Sequence, residues 1–283
     1  MRPTRRSYGG TMNYKIIATD LDGTLLQDVF SVSDENYKAI EKYTAMGGLV
    51  VPASGRCFYE MPQALRDCPD IRYYISSNGS VITDSVTGEN DEVLISDEKF
   101  EELKRLLGEY ETCLNIHYRG KSFMLAENDT EERASYYNLN RYYYQHFHEN
   151  SEKLQGFEGA FSGGVEMVAV FFKYQRDLDE CVERLNALGG VIATSSTDFN
   201  VEIIAKGASK GDGIRRLAKK LGVSTEQIIG VGDSPNDIAL LGGAGLALAV
   251  ENADEILKDK AEKIICHHTE HVIKYILENI IEA

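Results

Sequence analysis

Short, almost wholly apolar segments alternate with amphipathic ones near both ends of the chain, and this alternation restricts the fold more than any other feature. The apolar segments are 15–20, 49–54, 73–76, 227–233, 245–250 and 263–266. Strands that lack polar alternation are typically buried on both faces of a sheet. The pattern therefore predicts an α/β fold with a parallel sheet covered by helices on both faces.

The segments between these strands have helical spacing. One predicted helix begins near Ser33, whose hydroxyl can cap it, and ends at Gly47. After the second strand, the spacing of Phe58, Met61 and Leu65 predicts another helix.

The middle of the chain, residues 96–205, differs from the two ends in composition and in its predicted secondary structure. It is richer in Tyr and Phe and contains the strand-like segments 166–174 and 200–205. We interpret it as a mixed α+β domain inserted into a core formed by residues 13–95 and 206–283. The sequence shows no internal repeat.

Composition narrows the classes of partner. The net charge is −15, which disfavours binding to nucleic acid and to anionic lipid. No apolar run approaches the roughly 20 residues needed to cross a bilayer. The five cysteines are scattered and lack C-x-x-C spacing, so we expect a reduced, cytoplasmic protein without disulfides or a zinc site. Residues 1–12 lack a secretory signal and are predicted to be a disordered leader.

Three predicted strands end in polar residues, Asp20, Ser54 and Asp233. Ligands of open α/β sheets bind at the carboxyl ends of the strands, so we expect these side chains to converge. Asp22 lies two residues after Asp20, and two such close carboxylates require a cation or a shared proton.

Four motifs extend this pattern. They are ATDLDGTLL (18–26), PASGR (52–56), SKGDGI (209–214) and GVGDSPNDIAL (230–240). In order and spacing they resemble the motifs of the haloacid dehalogenase (HAD) superfamily of phosphatases. The insert resembles the cap of the Cof-type branch (subfamily IIB), whose members are mostly phosphatases of sugar phosphates and related compounds. The resemblance implies a Rossmann-like core with an α+β cap of the C2 type.

The resemblance also implies catalytic roles. Asp20 would be the nucleophile that forms an aspartyl-phosphate, and Asp22 would exchange protons with the leaving group and with water. Mg²⁺ would be held by the Asp20 carboxylate, the Asp22 backbone carbonyl and Asp233, while Asp237 would order metal-bound water or Lys210. The predicted metal group is thus Asp20, Asp22, Asp233 and Asp237.

A second set of residues would bind the phosphoryl group. Ser54 and the backbone at Gly55 would hold its oxygens, Lys210 would supply a fixed positive charge, and Asn236 would contact it. Arg56 and Asn78 are also predicted near the substrate, although Arg56 could equally form a structural ion pair and Asn78 a turn.

Each motif has a structural alternative when it is taken alone. Asp22 could be a turn residue, Ser54 could cap a helix, and Asp233 could begin a helix that has a proline in its first turn. The occurrence of all four motifs together favours catalysis.

Two further clusters call for interpretation. The aromatic stretch 134–147 could stack nucleic-acid bases, but the acidic net charge favours a half-buried helix that packs on the cap sheet. His267, His268 and His271 could bind a metal, although no acid or cysteine completes a ligand set, so we interpret them as a surface cluster. Residues 269–272 depart from the Asp-Gly that this branch often has before its last helix.

We therefore expect a Mg²⁺-dependent phosphatase that acts on a small phosphorylated metabolite, in particular a sugar phosphate. We expect it to be a monomer or a homodimer, with no nucleic-acid or membrane partner. The alternatives are a phosphomutase of the same superfamily and a non-catalytic regulator that binds a phosphorylated ligand.

Overall fold

A computed structural model describes residues 13–28, 30–194 and 199–283. The leader predicted over residues 1–12 lies outside this part of the chain. The described strands are β1 (Ile16–Thr19), β2 (Leu49–Pro52), β3 (Tyr73–Ser76), β4 (Val81–Asp84), β5 (Asn90–Glu92), β6 (Thr112–Tyr118), β7 (Lys121–Leu125), β8 (Glu152–Leu154), β9 (Met167–Phe172), β10 (Val191–Thr194), β11 (Asn200–Ala205), β12 (Ile228–Gly232), β13 (Leu246–Ala249) and β14 (Lys263–Ile264). The α-helices are α1 (Asp34–Ala45), α2 (Gln63–Arg66), α3 (Asp97–Leu107), α4 (Glu131–Tyr136), α5 (Arg141–Asn150), α6 (Gln175–Leu188), α7 (Lys210–Leu221), α8 (Ile238–Leu241), α9 (Glu255–Lys258) and α10 (Val272–Ile276).

Five strands form a parallel sheet in the order β14-β13-β12-β1-β2, as the sequence predicts. The next strand, β3, joins β4 and β5 in an antiparallel sheet and meets the end of β2 through a parallel bridge between Ala53 and Ile75. The carboxyl ends of β1, β2 and β12 therefore lie side by side.

Both faces of the parallel sheet are buried by helices. Adjacent residues of each strand point to opposite faces, so each strand contributes to both interfaces. On one face, Ile17 and Val50 pack with α1 and α10. On the other face, Ile16 and Val51 pack with α7. This arrangement explains why these strands carry no polar alternation.

Residues 112–205 form a second sheet with the order β10-β11-β9-β6-β7-β8. Its strands are antiparallel except for the β7–β8 pair. The helices α3 and α6 contribute Leu103 and Cys181 to the apolar cluster that includes this sheet. The mixed α+β structure predicted for the middle of the chain is therefore observed.

Hydrogen bonds join this second unit to the loops at the strand ends of the first. The Ser77 hydroxyl donates to Glu166 Oε2 at 2.7 Å. The Asn78 amide donates to Glu202 Oε2 at 2.5 Å, and the Tyr59 backbone N–H donates to the Gly120 carbonyl at 2.9 Å. We call these contacts the polar seam.

Two helical predictions need correction. The segment with Phe58 forms a short 3₁₀ turn that ends at Glu60, and a separate helix starts only at Gln63, since Pro62 disfavours helical geometry at the residue before it. The single helix expected over 134–147 is two helices, α4 and α5. They are separated by Asn138, which has a positive φ of 56°, and Asn140 caps the second one.

None of the helices in the described residues is both long and apolar enough to cross a membrane.

Candidate active site

Asp20 is the first residue after β1, and its side chain is buried. Its backbone N–H donates to the Val231 carbonyl on β12 at 2.9 Å, which fixes it beside the end of that strand. The loop that follows turns at Gly23, where φ is +71°. A Cβ atom at Gly23 would overlap the Asp233 carboxylate, so glycine is needed here for both its conformation and its size.

Lys210 lies between two carboxylates. Its ammonium is 2.6 Å from Asp20 Oδ1 and 2.6 Å from Asp237 Oδ1, and the side chain is 1% exposed. Ser209 caps the helix that starts at Lys210 and thereby fixes the position of the lysine. Burial by itself lowers the pKa of Lys210, but Asp20 and Asp237 outweigh it, so the pKa is raised and the lysine is charged.

Asp20, Asp233 and Asp237 form a compact acidic cluster, with carboxylate oxygens within 4.8 Å of one another. Burial, together with the charge of Asp237, raises the pKa of Asp20 well above its usual value and that of Asp233 to about 7. Three carboxyl groups share the single ammonium of Lys210, and a bound cation would favour the ionised form of all three. An all-oxygen, negatively charged donor set suits a hard divalent cation.

The two oxygens of Asp237 already have partners. Oδ1 accepts from Lys210, and Oδ2 accepts from the backbone N–H groups of Asp233 and Ser234 at 3.0 and 3.2 Å. Asp237 therefore holds Lys210 and shapes the loop after β12. The Thr24 hydroxyl donates to Asp233 Oδ1 at 3.2 Å and helps to fix the Asp233 carboxylate.

The Asp22 carboxylate points to Arg56. The guanidinium donates to both carboxylate oxygens, so the ion pair that the sequence left as one alternative for Arg56 is present. Arg56 is itself buried and also donates to the Glu60 carbonyl at 3.2 Å.

Ser54 follows β2, and its backbone N–H donates to the Ile75 carbonyl at 2.9 Å. Its hydroxyl accepts from the Arg56 N–H at 3.1 Å, as in a local turn. Asn78, with φ of 53°, lies behind this loop, and its N–H donates to the Ser54 carbonyl at 2.9 Å. The contacts of Asn78 thus support the loop and the polar seam.

A cavity of about 410 Å³ lies between the strand ends and the second unit. The predicted site residues that line it are Asp20, Asp22, Ser54, Gly55, Arg56, Asp233 and Asn236. Lys210 and Asp237 contact this set from beneath through Asp20 and the loop after β12.

The cavity also has a wall that sequence reasoning did not identify. It consists of Glu60, His117, Tyr143, His146, Phe147, Met167, Ala169, Phe171 and Glu202. The strand prediction over MVAVFF of β9 indicates which residues share a face, because every second residue of a strand points the same way. Nothing in the sequence indicates which face is directed at the strand ends.

The structure places both the aromatic segment 134–147 and the histidines near the C-terminus. The segment 134–147 packs on the second sheet, where the ring of Tyr143 lies 5.3 Å from that of Phe171. His268 lines the cavity and its Nδ1 lies 2.9 Å from the Leu26 carbonyl, while His271 Nδ1 lies 3.0 Å from the Ser33 hydroxyl.

A second group of potential ligands consists of Cys57, Glu60 and His117. Burial raises the pKa of the Cys57 thiol well above its usual value, so the thiol is protonated. The Glu60 carboxylate accepts from the Cys57 N–H at 3.2 Å, as part of a capping box. These contacts account for the group as local structure.

Two relatives that match nearly the whole chain are named as phosphatases. "5-amino-6-(5-phospho-D-ribitylamino)uracil phosphatase YwtE" of Bacillus subtilis is 28% identical over 290 residues, which cover 95% of this chain and 99% of that protein. "Phosphatase YwpJ" of the same organism is 27% identical over 94% of this chain and 100% of its own length.

Solved structures show the same fold. A haloacid dehalogenase-like hydrolase from B. subtilis superposes with a TM-score of 0.78 at 25% identity, covering 94% of this chain and 99% of the other. The HAD subclass IIB sugar phosphatase BT4131 gives a TM-score of 0.77 at 20% identity, with coverages of 93% and 98%. The second unit is thus the inserted cap of this fold. The family model described as haloacid dehalogenase-like hydrolase matches residues 17–277, and the chain belongs to that family.

Proposed function

We propose that this enzyme is a Mg²⁺-dependent phosphatase that hydrolyses a small phosphomonoester through an aspartyl-phosphate. The observation that carries the proposal is the contact of Lys210 with Asp20. Asp20, a buried carboxyl group at a strand end, lines the cavity, and the fixed ammonium of Lys210 lies 2.6 Å from its Oδ1.

The first step transfers the phosphoryl group. Asp20 attacks phosphorus in line, a bond forms from the carboxylate oxygen, and the bond from phosphorus to the substrate oxygen breaks. Asp22, at the cavity wall, gives its proton to the departing oxygen. The ammonium of Lys210, the hydroxyl of Ser54 and the amide of Asn236 offset the charge on the phosphoryl oxygens.

The second step restores the carboxylate. Asp22 takes a proton from a water molecule, and the water oxygen bonds to phosphorus of the aspartyl-phosphate. The bond from phosphorus to the Asp20 oxygen breaks, which releases inorganic phosphate. Asp20 then returns to its contact with Lys210. The contact with Arg56 holds the Asp22 carboxylate at the cavity wall. The proton that Asp22 gains from water in this step is the one it gives to the leaving group in the next cycle.

Asp20, Asp233 and the backbone carbonyl of Asp22 would hold Mg²⁺. When bound, the ion neutralises charge on the transferring group and orients it for in-line attack. Because both oxygens of Asp237 have protein partners, we assign Asp237 to positioning Lys210 and the loop after β12.

We propose residues 13–95 and 206–283 as the catalytic core and residues 96–205 as the cap that closes over the substrate. The relative YwtE is named for a phosphoribityl substrate, and BT4131 is named as a sugar phosphatase. Both names denote a phosphate ester on a polyhydroxylated carbon chain. We infer a sugar phosphate or sugar-alcohol phosphate as the substrate, within a cytoplasmic enzyme.

The test measures release of inorganic phosphate from a panel of sugar and sugar-alcohol phosphates with Mg²⁺. We expect turnover by the wild-type enzyme and a loss of at least about a thousandfold in Asp20→Asn, which lacks the nucleophile. Asp179→Asn, an exposed change of the same type on α6, is the matched control. Equal activity of wild type and Asp20→Asn would refute the proposal, and isomerisation without phosphate release would indicate a mutase.

A further inference from the structure

The wall of the cavity opposite Asp20 has a distinct chemical character. Along β9 the residues Met167, Ala169 and Phe171 face the cavity. Ala169 is the smallest of the three and pairs across the sheet with Glu202 on β11. The small side chain leaves space in the middle of this wall, between an apolar side and an acidic one.

The apolar side is aromatic. The rings of Tyr143 and Phe147 on α5 lie 5.3 and 5.6 Å from the ring of Phe171. All three residues line the cavity. Such a cluster of rings provides a rigid surface against which a flat or apolar group packs with little loss of side-chain entropy.

The acidic side consists of Glu60 and Glu202, which are 7% and 6% exposed. His117 Nε2 and His146 Nε2 lie 3.6 and 3.4 Å from the Glu60 carboxylate. Although burial alone raises the pKa of Glu60, His117 and His146 outweigh it and the pKa is lowered. Glu60 is therefore a carboxylate at neutral pH.

The two imidazoles of this wall already have partners. Besides its contact with Glu60, His117 has Ser77 Oγ at 3.1 Å from its Nδ1, and His146 has the Asn150 amide at 3.4 Å. Among the described lining residues, Arg56 supplies the one arginine or lysine side chain, and its guanidinium binds Asp22. A second anion on the substrate would lie near two buried carboxylates, where like charges repel strongly.

We propose that this wall selects phosphomonoesters whose leaving group is uncharged or cationic, carries N–H or O–H donors for Glu60 and Glu202, and presents a flat or apolar face to Phe171. The inference rests on the proposed phosphatase function and specifies its substrate class. Leaving groups with a carboxylate or a second phosphate are rejected.

The test uses three aryl phosphates that share a flat ring and differ in one para substituent: aminomethyl, hydroxymethyl or carboxylate. Phosphate release gives kcat/KM for each compound. Acetyl phosphate, which has no ring, reports the phosphoryl-transfer chemistry separately. Wild type is compared with Glu202→Gln and with Glu183→Gln, a matched loss of one carboxylate at the exposed surface of α6.

We expect wild-type kcat/KM to be at least about tenfold higher for the aminomethyl compound than for the carboxylate. Glu202→Gln should reduce this ratio at least about threefold, and Glu183→Gln should leave it unchanged. The wild-type ratio alone is informative if Glu202→Gln folds poorly. Equal turnover of the three compounds, turnover of acetyl phosphate alone, or an unchanged ratio in a folded Glu202→Gln would overturn the inference. Absence of acetyl phosphate turnover would instead overturn the proposed function.

Discussion

The guanidinium of Arg56 binds both carboxylate oxygens of Asp22, with Nε 2.9 Å from Oδ2 and Nη2 2.5 Å from Oδ1. The side chain of Arg56 is 6% exposed and that of Asp22 is 40% exposed. The arginine is therefore held by the protein, whereas the carboxylate borders the cavity. Bidentate contact of this kind fixes orientation as well as charge.

Arg56→Gln should therefore reduce activity through Asp22. We expect kcat for an alkyl phosphate to fall about a hundredfold, because a poor leaving group needs a well-placed acid. For acetyl phosphate, whose leaving group needs little protonation, the fall should be much smaller. Asp22→Asn should show the same selectivity. Equal losses on both substrates would assign Arg56 to phosphate binding instead.

Lys210→Met should destabilise the metal-free protein by about 3 kcal/mol or more, since it leaves buried carboxylates without their ammonium. The double variant Lys210→Met/Asp237→Asn removes one of these carboxylates and should recover part of the loss. Urea unfolding measures both effects. Lys219→Met, an exposed change on the same helix, should alter stability by less than about 0.5 kcal/mol. Additive effects of the two substitutions would contradict the assigned contact.

Mg²⁺ should stabilise the folded protein because it binds the native acidic cluster and not the unfolded chain. At a hundredfold excess over its dissociation constant, the gain is about 2.7 kcal/mol, seen as a rise in Tm. Asp233→Asn should lose most of this rise, and Asp259→Asn, an exposed control, should keep it. EDTA should abolish phosphate release. A Tm rise in Asp233→Asn equal to that of wild type would place the ion elsewhere.

Glu60 should make stability depend on acid pH. Its pKa in the folded state lies below the ordinary value of 4.5, so its stabilisation is complete above that value and is lost as the pH falls below it. Glu60→Gln should be about 2 kcal/mol less stable at neutral pH and should lose less stability on acidification. Chemical unfolding between neutral pH and pH about 3 measures this. Glu183→Gln should follow the wild-type slope, and a parallel slope for Glu60→Gln would disprove the role of Glu60.

The core and the position of the site follow from sequence because both depend on periodicity. Strands such as Ile16–Thr19 are apolar without interruption, and the polar residue after each one lies at the same edge of the sheet. Asp20, Ser54 and Asp233 therefore meet around one cavity although they are distant in sequence.

The position of the cavity wall opposite Asp20 cannot be predicted from periodicity. Glu60 lines the cavity from the 3₁₀ turn that precedes Pro62. Tyr143 contacts Phe171 from the second of the two helices that Asn138 and Asn140 separate. Turn chemistry predicts that such breaks occur, but the direction in which the chain leaves them depends on tertiary packing.

The polar seam has a consequence for any separation of the second unit from the first. Its hydrogen bonds, such as those of Ser77 with Glu166 and of Asn78 with Glu202, can be exchanged for hydrogen bonds to water. Separating these hydrogen-bonded groups exposes polar atoms, and polar exposure does not raise the heat capacity as apolar exposure does. Breaking the seam therefore adds little to the heat-capacity change of such a separation, and its contribution to the enthalpy of separation should stay nearly constant with temperature.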